Sequence, residues 1–186
     1  MPNLNHKLLV LAGPTAVGKG TVAKFIIEHN PQVVLSVSAT TRAPRPGEVD
    51  GVSYYFLTDS EFDDLIASGQ MLEFAVVHGK HRYGTPRQPV EAALAEGKAV
   101  LLEIDIQGAR QVKQHMPEAT TVFIAPPSWD ELVRRLEGRG TENEAEKATR
   151  LETARIELAA QGEFDHVIVN DEVAKCAAAV VELIMS

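Results

Sequence analysis

The segment Gly13-Pro14-Thr15-Ala16-Val17-Gly18-Lys19 sets a lysine directly behind a loop bounded by two glycines. Entered from an apolar strand and left by a helix, such a loop turns its backbone N–H groups inward. The helix N-terminus then adds its partial positive charge to the full charge of Lys19. That combination suits the polyphosphate tail of a nucleoside triphosphate. Gly13, Pro14, Thr15, Ala16, Val17, Gly18, Lys19, Gly20 and Thr21 are the expected cradle for it. One position departs from the usual pattern: Gly20 follows the lysine where a Mg²⁺-ligating hydroxyl normally stands, which leaves Thr21 as the substitute.

Further chemistry-bearing residues gather in two windows. Nine of the ten arginines lie between Arg42 and Arg87 or between Arg134 and Arg155, with Arg110 outside. A net charge of −8 argues against general nucleic-acid binding, which needs a basic excess. The clustering points instead to a small anion at a defined site, because guanidinium forks match phosphate oxygens two at a time. For any single arginine, a solvated charged face is the alternative. Glu73 interrupts an apolar strand (Met71, Leu72, Phe74, Ala75), where an unpaired charge is costly. Glu103 and Asp105 close another apolar strand, and their spacing predicts a shared face pointing at the carboxyl end of the sheet. The six histidines lack metal-ligating spacing with Cys or carboxylates and receive no role. Trp129 is expected to pack at the head of a helix.

These residues need a frame. The chain has 186 residues, 45% of them hydrophobic, enough for one compact unit with a sizeable core. A single cysteine, Cys176, excludes an intramolecular disulfide framework and suits a reducing compartment. No leader and no membrane-spanning apolar stretch is evident, so a cytoplasmic location is expected. Strand-like runs at residues 7–13, 32–39, 99–106, 120–125 and 166–170 alternate with helical spacing at 18–29, 89–96, 109–116 and 172–185. That rhythm predicts an α/β fold, a parallel sheet core with helices on both faces.

Two stretches break it. Residues 40–50 are rich in Pro, Gly and charge, and lead through the strand-like 54–56 and a short helix at 60–68 to a hairpin over 71–84, turning at His78-Gly79-Lys80. Residues 126–155 form a charged helical excursion broken at Glu137-Gly138-Arg139-Gly140. The first reads as a small α+β insertion and the second as a helical lid. Both carry the arginine windows, and the two together read as flaps closing over a phosphate site.

The runs Thr40-Thr41-Arg42, Arg45-Pro46-Gly47-Glu48, Asp50-Gly51 and Tyr54-Tyr55-Phe56 are followed by Glu73 and Arg82-Tyr83-Gly84-Thr85. Next come Glu103-Ile104-Asp105-Ile106-Gln107-Gly108, Glu137-Gly138-Arg139-Gly140 and Val169-Asn170-Asp171. In that order, over about residues 7–184, the chain resembles the guanylate kinases. The resemblance implies a P-loop nucleoside monophosphate kinase fold. Its core would be 1–36, 88–126 and 156–186, with a GMP-binding region at 37–87 and a lid at 127–155. It implies transfer of the γ-phosphoryl of ATP to GMP, giving ADP and GDP, with dGMP as a further acceptor, in purine nucleotide recycling. Arg42, Arg45, Tyr54 and Tyr83 match the positions that hold the GMP phosphate. Glu73 matches the carboxylate that accepts from guanine N1–H and the exocyclic amine, with Ser38, Thr85 and Asp105 assisting at the base. Lys19, Arg42, Arg135, Arg139 and Arg150 match the catalytic charges. Asn170 resembles a residue near the adenine of ATP, a turn-forming Asn being the alternative; Arg134 and Arg155 are weaker matches that also suit a solvated helix.

Phosphoryl transfer of this kind needs a metal on the β- and γ-phosphates, so Mg²⁺ is expected with ATP. Thr21, Glu103 and Asp105 are its expected holders, largely through water. An acceptor that is already an anionic oxygen needs no general base. ATP and GMP are the expected partners, with no nucleic acid and no membrane, and a homo-oligomer stays open. Two other readings remain: an inactive guanylate-kinase-like protein-interaction domain, or a related P-loop kinase for another small phosphate acceptor. The first would have little use for the phosphate loop and lid arginines, and the second little use for the set Arg42, Arg45, Tyr54, Glu73 and Tyr83.

Overall fold

The computed structural model describes residues 7–77, 79–137 and 143–186. Five strands form the main sheet: β1 (Leu8–Ala12), β2 (Val33–Leu35), β7 (Ala99–Glu103), β8 (Thr120–Ala125) and β9 (His166–Val169). They lie in the order β2-β7-β1-β8-β9, and every pairing is parallel. The central strands β7, β1 and β8 are covered on both faces and need apolar side chains on both, so they show little alternation, whereas the edge strand β9 leaves Val167 and Val169 exposed. The period of two still divides the central strands. Leu9, Leu11, Leu101, Val122 and Ile124 face helices α1 (Lys19–His29) and α7 (Val173–Met185). Leu8, Val10, Val100, Leu102 and Phe123 face α3 (Arg87–Ala95) and α4 (Ile106–His115). With β7 on one side of β1 and β8 on the other, the strand order turns at β1. Ligands of such sheets bind in the crevice beyond that carboxyl end.

The insertion carries its own sheet, in the order β4-β3-β6-β5, built from β3 (Ala39–Thr40), β4 (Tyr55–Phe56), β5 (Met71–Val77) and β6 (His81–Pro86). Helix α2 (Asp59–Ala67) starts on a capping box between Thr58 and Glu61 and buries Phe62 against Ala39 and Met71. The strand expected over 32–39 is here two strands in two sheets. Its first part ends at Leu35, and Ala39 and Thr40 pair with Gly84 and Tyr83 of the insertion. The β-branched run is strand-like throughout, and only its distant partners decide where it changes sheet. In the hairpin, Gly79 takes φ +63, while His78 lies outside the described residues.

The charged excursion forms α5 (Trp129–Glu137) and α6 (Glu144–Ala159), the latter opened by an Asn143–Glu146 capping box. The break expected at 137–140 falls, after Glu137, outside the described residues. Helix α6 runs past the expected end of the lid at 155 and leads into a 3₁₀ turn at Ala160–Glu163, so one helix crosses the boundary expected between lid and core.

Candidate active site

The phosphate loop joins β1 to α1, and its close approaches explain its glycines. A Cβ on Gly13 (φ +149) would stand 2.4 Å from the Ile124 carbonyl oxygen, and one on Gly18 (φ +96) 2.6 Å from Asn170 Nδ2. Ala16 adopts φ +66 without a glycine's freedom, a strain of about 1–2 kcal/mol stored where the loop turns. Helix α1 has no acidic residue in its first turn and no side-chain cap, which leaves its leading N–H groups to an anion. Lys19 Nζ donates to the carbonyls of Gly13 (2.6 Å) and Pro14 (3.2 Å). Burial pulls its ammonium below the usual lysine range, against the opposing charges of Glu103, Glu157 and Asp105. Loop residues 14–16 and 18–21, with Glu103, line a pocket of about 330 Å³.

Two side chains brace this loop from behind. Buried Asn170 donates through Nδ2 to the Val17 carbonyl at 2.9 Å, and its Oδ1 has no partner among the described residues. Arg135, on α5, is held by Glu131 (2.8 Å) and extends to the carbonyls of Val17 (3.3 Å) and Asn170 (3.4 Å). Arg150 is half-buried on α6, and Arg139 lies outside the described residues. Arg134 is exposed and paired with Glu131, while Arg155 stacks over the Trp129 ring at 5.0 Å. Glu157 carries no motif that singles it out in the sequence. Its carboxylate faces Lys19 and the Thr15 N–H, its Oε2 is buried, and burial raises its pKa. The available signal is its position seven residues after Arg150, on the same face of α6.

A second pocket, of about 280 Å³, is bounded by residues 35–38 and 52–54, Ser38 and Tyr54 among them, and again by Glu103. Next to it Arg42 is fully engaged. Its Nη1 and Nη2 each donate to Glu48 at 2.9 Å, its Nε donates to the Tyr83 hydroxyl at 3.3 Å, and its guanidinium lies 5.3 Å over the Tyr54 ring. Tyr54 and Tyr83 meet edge to face at 5.9 Å. Arg45 contributes its backbone N–H to Glu48 at 2.7 Å and leaves its side chain exposed. Glu48, which has no role assignable from the sequence, is held at about 2 by these donors.

Glu73 is 6% exposed, and its Oε1 accepts from the Thr85 hydroxyl at 2.7 Å. Burial pushes its carboxyl up to about 7; the Thr85 hydrogen bond opposes this and the charge of Asp105 adds to it. Gly108 makes the arrangement sterically feasible, since a Cβ there would stand 2.8 Å from Glu73 Oε2 and 3.2 Å from Asp105 Oδ1. Two residues of α4 also hold the strand on either side of Glu73. His115 Nδ1 bonds the Leu72 carbonyl at 2.7 Å, and the Gln111 amide pairs with the Phe74 backbone. Histidine was expected to have no role; His115 has a structural one.

The shared strand face expected for Glu103 and Asp105 is not found. Strand β7 ends at Glu103, and Asp105 caps α4, accepting the Gly108 N–H at 2.6 Å. Alternation stops where the strand stops, so Glu103 borders the phosphate loop and Asp105 borders Glu73. No group of three or more His, Cys, Asp or Glu that could hold a metal occurs among the described residues. The donors present are oxygens: Glu103, whose carboxylate lies 3.6 Å from a Cβ built on Gly20, and Thr21. That set fits Mg²⁺, which keeps several waters and binds through one or two carboxylates and substrate phosphates.

A family model described as guanylate kinase matches residues 5–186. The chain belongs to the guanylate kinase family. The guanylate kinase of Leifsonia xyli subsp. xyli is 65% identical over 96% of this chain and 70% of its own length. That of Nocardia farcinica is 60% identical over 97% of this chain and 94% of its own. Among solved structures, the guanylate kinase from Anaplasma phagocytophilum superposes with a TM-score of 0.73 at 35% identity, over 95% of this chain and 83% of that one. A shikimate kinase from Bacteroides thetaiotaomicron, at 14% identity and a TM-score of 0.51, shares the fold alone. Among the described residues of this guanylate kinase family member, no helix is long and apolar enough to cross a membrane.

Proposed function

We propose that this chain is an ATP-dependent guanylate kinase that transfers the γ-phosphoryl group of ATP to GMP, giving ADP and GDP. The observation that carries this reading is the pair of adjoining pockets with Glu103 as common wall, one built by the phosphate loop and the other by the insertion. A donor polyphosphate and an acceptor phosphate held on either side would meet at that wall.

The phosphate-loop amides and Lys19 hold the β- and γ-phosphates; for this Lys19 exchanges its two carbonyl acceptors for phosphate oxygens. Arg135 and Arg150, with Arg139 between them in the chain, stabilise the charge that spreads over the moving group. The insertion, residues 37–87, receives GMP. Arg42, Arg45, Tyr54 and Tyr83 take its phosphate, and Glu48 orients the Arg42 fork. Glu73 accepts the two adjacent donors of guanine, with Thr85, Ser38 and Asp105 beside the base. Adenine would leave that buried carboxylate unsatisfied, a mismatch that such sites can reject by ~10⁴-fold or more. Asn170 keeps the loop in shape and has Oδ1 free for a donor near the adenine of ATP. Thr21, Glu103 and Asp105 would hold the water shell of Mg²⁺ bound with ATP, and the metal would supply charge neutralisation on the phosphates. Residues 127–155 serve as the lid over the donor, excluding water that would hydrolyse ATP. Buried Cys176, its thiol pushed up to about 11 by burial, is inert and suits the cytoplasm as the compartment.

The test is a coupled assay of ADP release from ATP and Mg²⁺ with GMP, and with AMP as control. ADP and GDP formed in equal amounts with GMP and not with AMP are expected; absence of GDP would remove the reading.

A further inference from the structure

Strand β5 is the outer strand of the insertion's sheet, paired with β6 on one side only. Outer strands leave alternate backbone groups unpaired. Around Glu73 a core helix takes them. The Phe74 N–H donates to Gln111 Oε1 at 3.1 Å, and Gln111 Nε2 donates to the Phe74 carbonyl at 3.0 Å, so one side-chain amide imitates a neighbouring strand. The Leu72 carbonyl can only accept, so His115 carries its proton on Nδ1 and donates it at 2.7 Å. The pairing of β5 with β6 is irregular between Met71 and Glu73, where a strand left to itself would re-aim its side chains.

Gly108, Gln111 and His115 are spaced i, i+3 and i+7, one stripe of α4. They meet Glu73 Oε2, Phe74 and Leu72 in turn. The other face of α4 is rooted in the core through Ile106, Ala109 and Val112. Glu73 thus belongs to the insertion by sequence, while a helix of the main sheet sets its depth and tilt.

We infer that Gln111 and His115 are positioning residues that aim the Glu73 carboxylate at the purine edge and thereby set base selectivity. The inference rests on the reading of Glu73 as the guanine acceptor. Two donors on a base need both carboxylate oxygens in the plane of the ring. A strand that tilts at Phe74 keeps one hydrogen bond and loses the other, and the base that loses most is the one with two donors to offer.

The experiment compares GMP with IMP, which keeps the ring N1–H and lacks the exocyclic amine. In Gln111→Met, close in size but without the paired amide, kcat/KM for GMP is expected to fall about tenfold or more, chiefly through KM, as for loss of one charge-assisted hydrogen bond. IMP use and the KM for ATP should change by less than about threefold, so the GMP-to-IMP ratio collapses. A purely structural role would lower the melting temperature and scale both acceptors alike. His115→Leu should lower the ratio in the same direction, and His115→Gln, which restores a donor, should recover part of it. A ratio within about twofold of the native one in folded Gln111→Met overturns the inference. Should that variant fail to fold, Gln111→Glu keeps the acceptor half of the pair, and an unchanged ratio there and in His115→Leu overturns it equally. A native protein that turns over GMP but does not prefer it to IMP refutes the Glu73 reading itself, whereas a native preference that survives these substitutions refutes only the positioning.

Discussion

Binding of GMP should expel a proton from Glu73. The carboxyl is pushed up to about 7, burial and the Asp105 charge favouring its protonated form and the Thr85 hydroxyl its ionised form. Two guanine donors require two accepting oxygens, which a protonated carboxyl does not offer. The free protein therefore carries the proton below about 7 and the complex does not. By linkage, GMP binding releases about 0.9 proton from this group near pH 6, about 0.5 near pH 7 and about 0.1 near pH 8. The GMP phosphate, which itself titrates near pH 6, adds its own release. Glu73→Gln keeps the phosphate contribution and removes the carboxyl, so the difference between the two proteins isolates Glu73. Calorimetric titration with GMP in two buffers of different ionisation enthalpy measures it directly. In steady-state assays, kcat/KM for GMP should carry an additional tenfold decline, to about one order per pH unit below 7, that the variant lacks. A difference below about 0.2 proton near pH 6 would refute the raised Glu73 carboxyl, and net proton uptake would refute the assignment of Glu73 as the ionised acceptor.

Three further outcomes are expected. Lys19→Met should fold normally and lose turnover by about 10²–10³-fold or more, since the transferring group loses its closest full charge; near-normal turnover would remove the phosphate loop from the mechanism. Gly108→Ala, at a helical position where alanine ordinarily stabilises by about 1 kcal/mol, should instead weaken GMP use tenfold or more with ATP affinity kept, because its Cβ would meet Glu73 Oε2 at 2.8 Å. Unchanged GMP kinetics in that variant would mean Glu73 does not read the base from this place. Gly20→Ser has room, with 3.6 Å to the Glu103 carboxylate, and restores the usual hydroxyl. Half-saturating Mg²⁺ should fall several-fold and helix propensity should add about 0.5 kcal/mol of stability; an unaltered Mg²⁺ requirement would show that position 20 does not face the metal.

Local features are legible in the order of residues. The two glycines and Lys19 of the phosphate loop declare themselves by their short spacing between an apolar run and a helix, although the Ile124 and Asn170 approaches that demand the glycines come from far along the chain. The unbroken apolar runs of β1, β7 and β8 announce a sheet buried on both faces by composition alone. Glu73 stands out as a charge in an apolar strand, and that anomaly points to a ligand. Relations between distant residues are not legible in this way. The 32–39 run passes from one sheet to another because Ala39 and Thr40 find partners in β6, about forty positions away in the chain. Asp105 sits in apparent strand alternation with Glu103, yet the helix that begins behind it turns it into a cap. His115 and Gln111 carry no motif, for a side chain that pairs with a foreign backbone leaves no period in its own segment.

Sequence alone therefore determined the sheet core, the phosphate loop and the kind of groups available for each chemical task, since these follow from side-chain type and short-range spacing. The tertiary structure alone decided which carboxylate faces the loop and which faces Glu73, that Glu48 holds Arg42, and that α4 anchors the strand bearing Glu73. Those outcomes depend on elements meeting across the chain, where distance and burial rather than local order settle each partner.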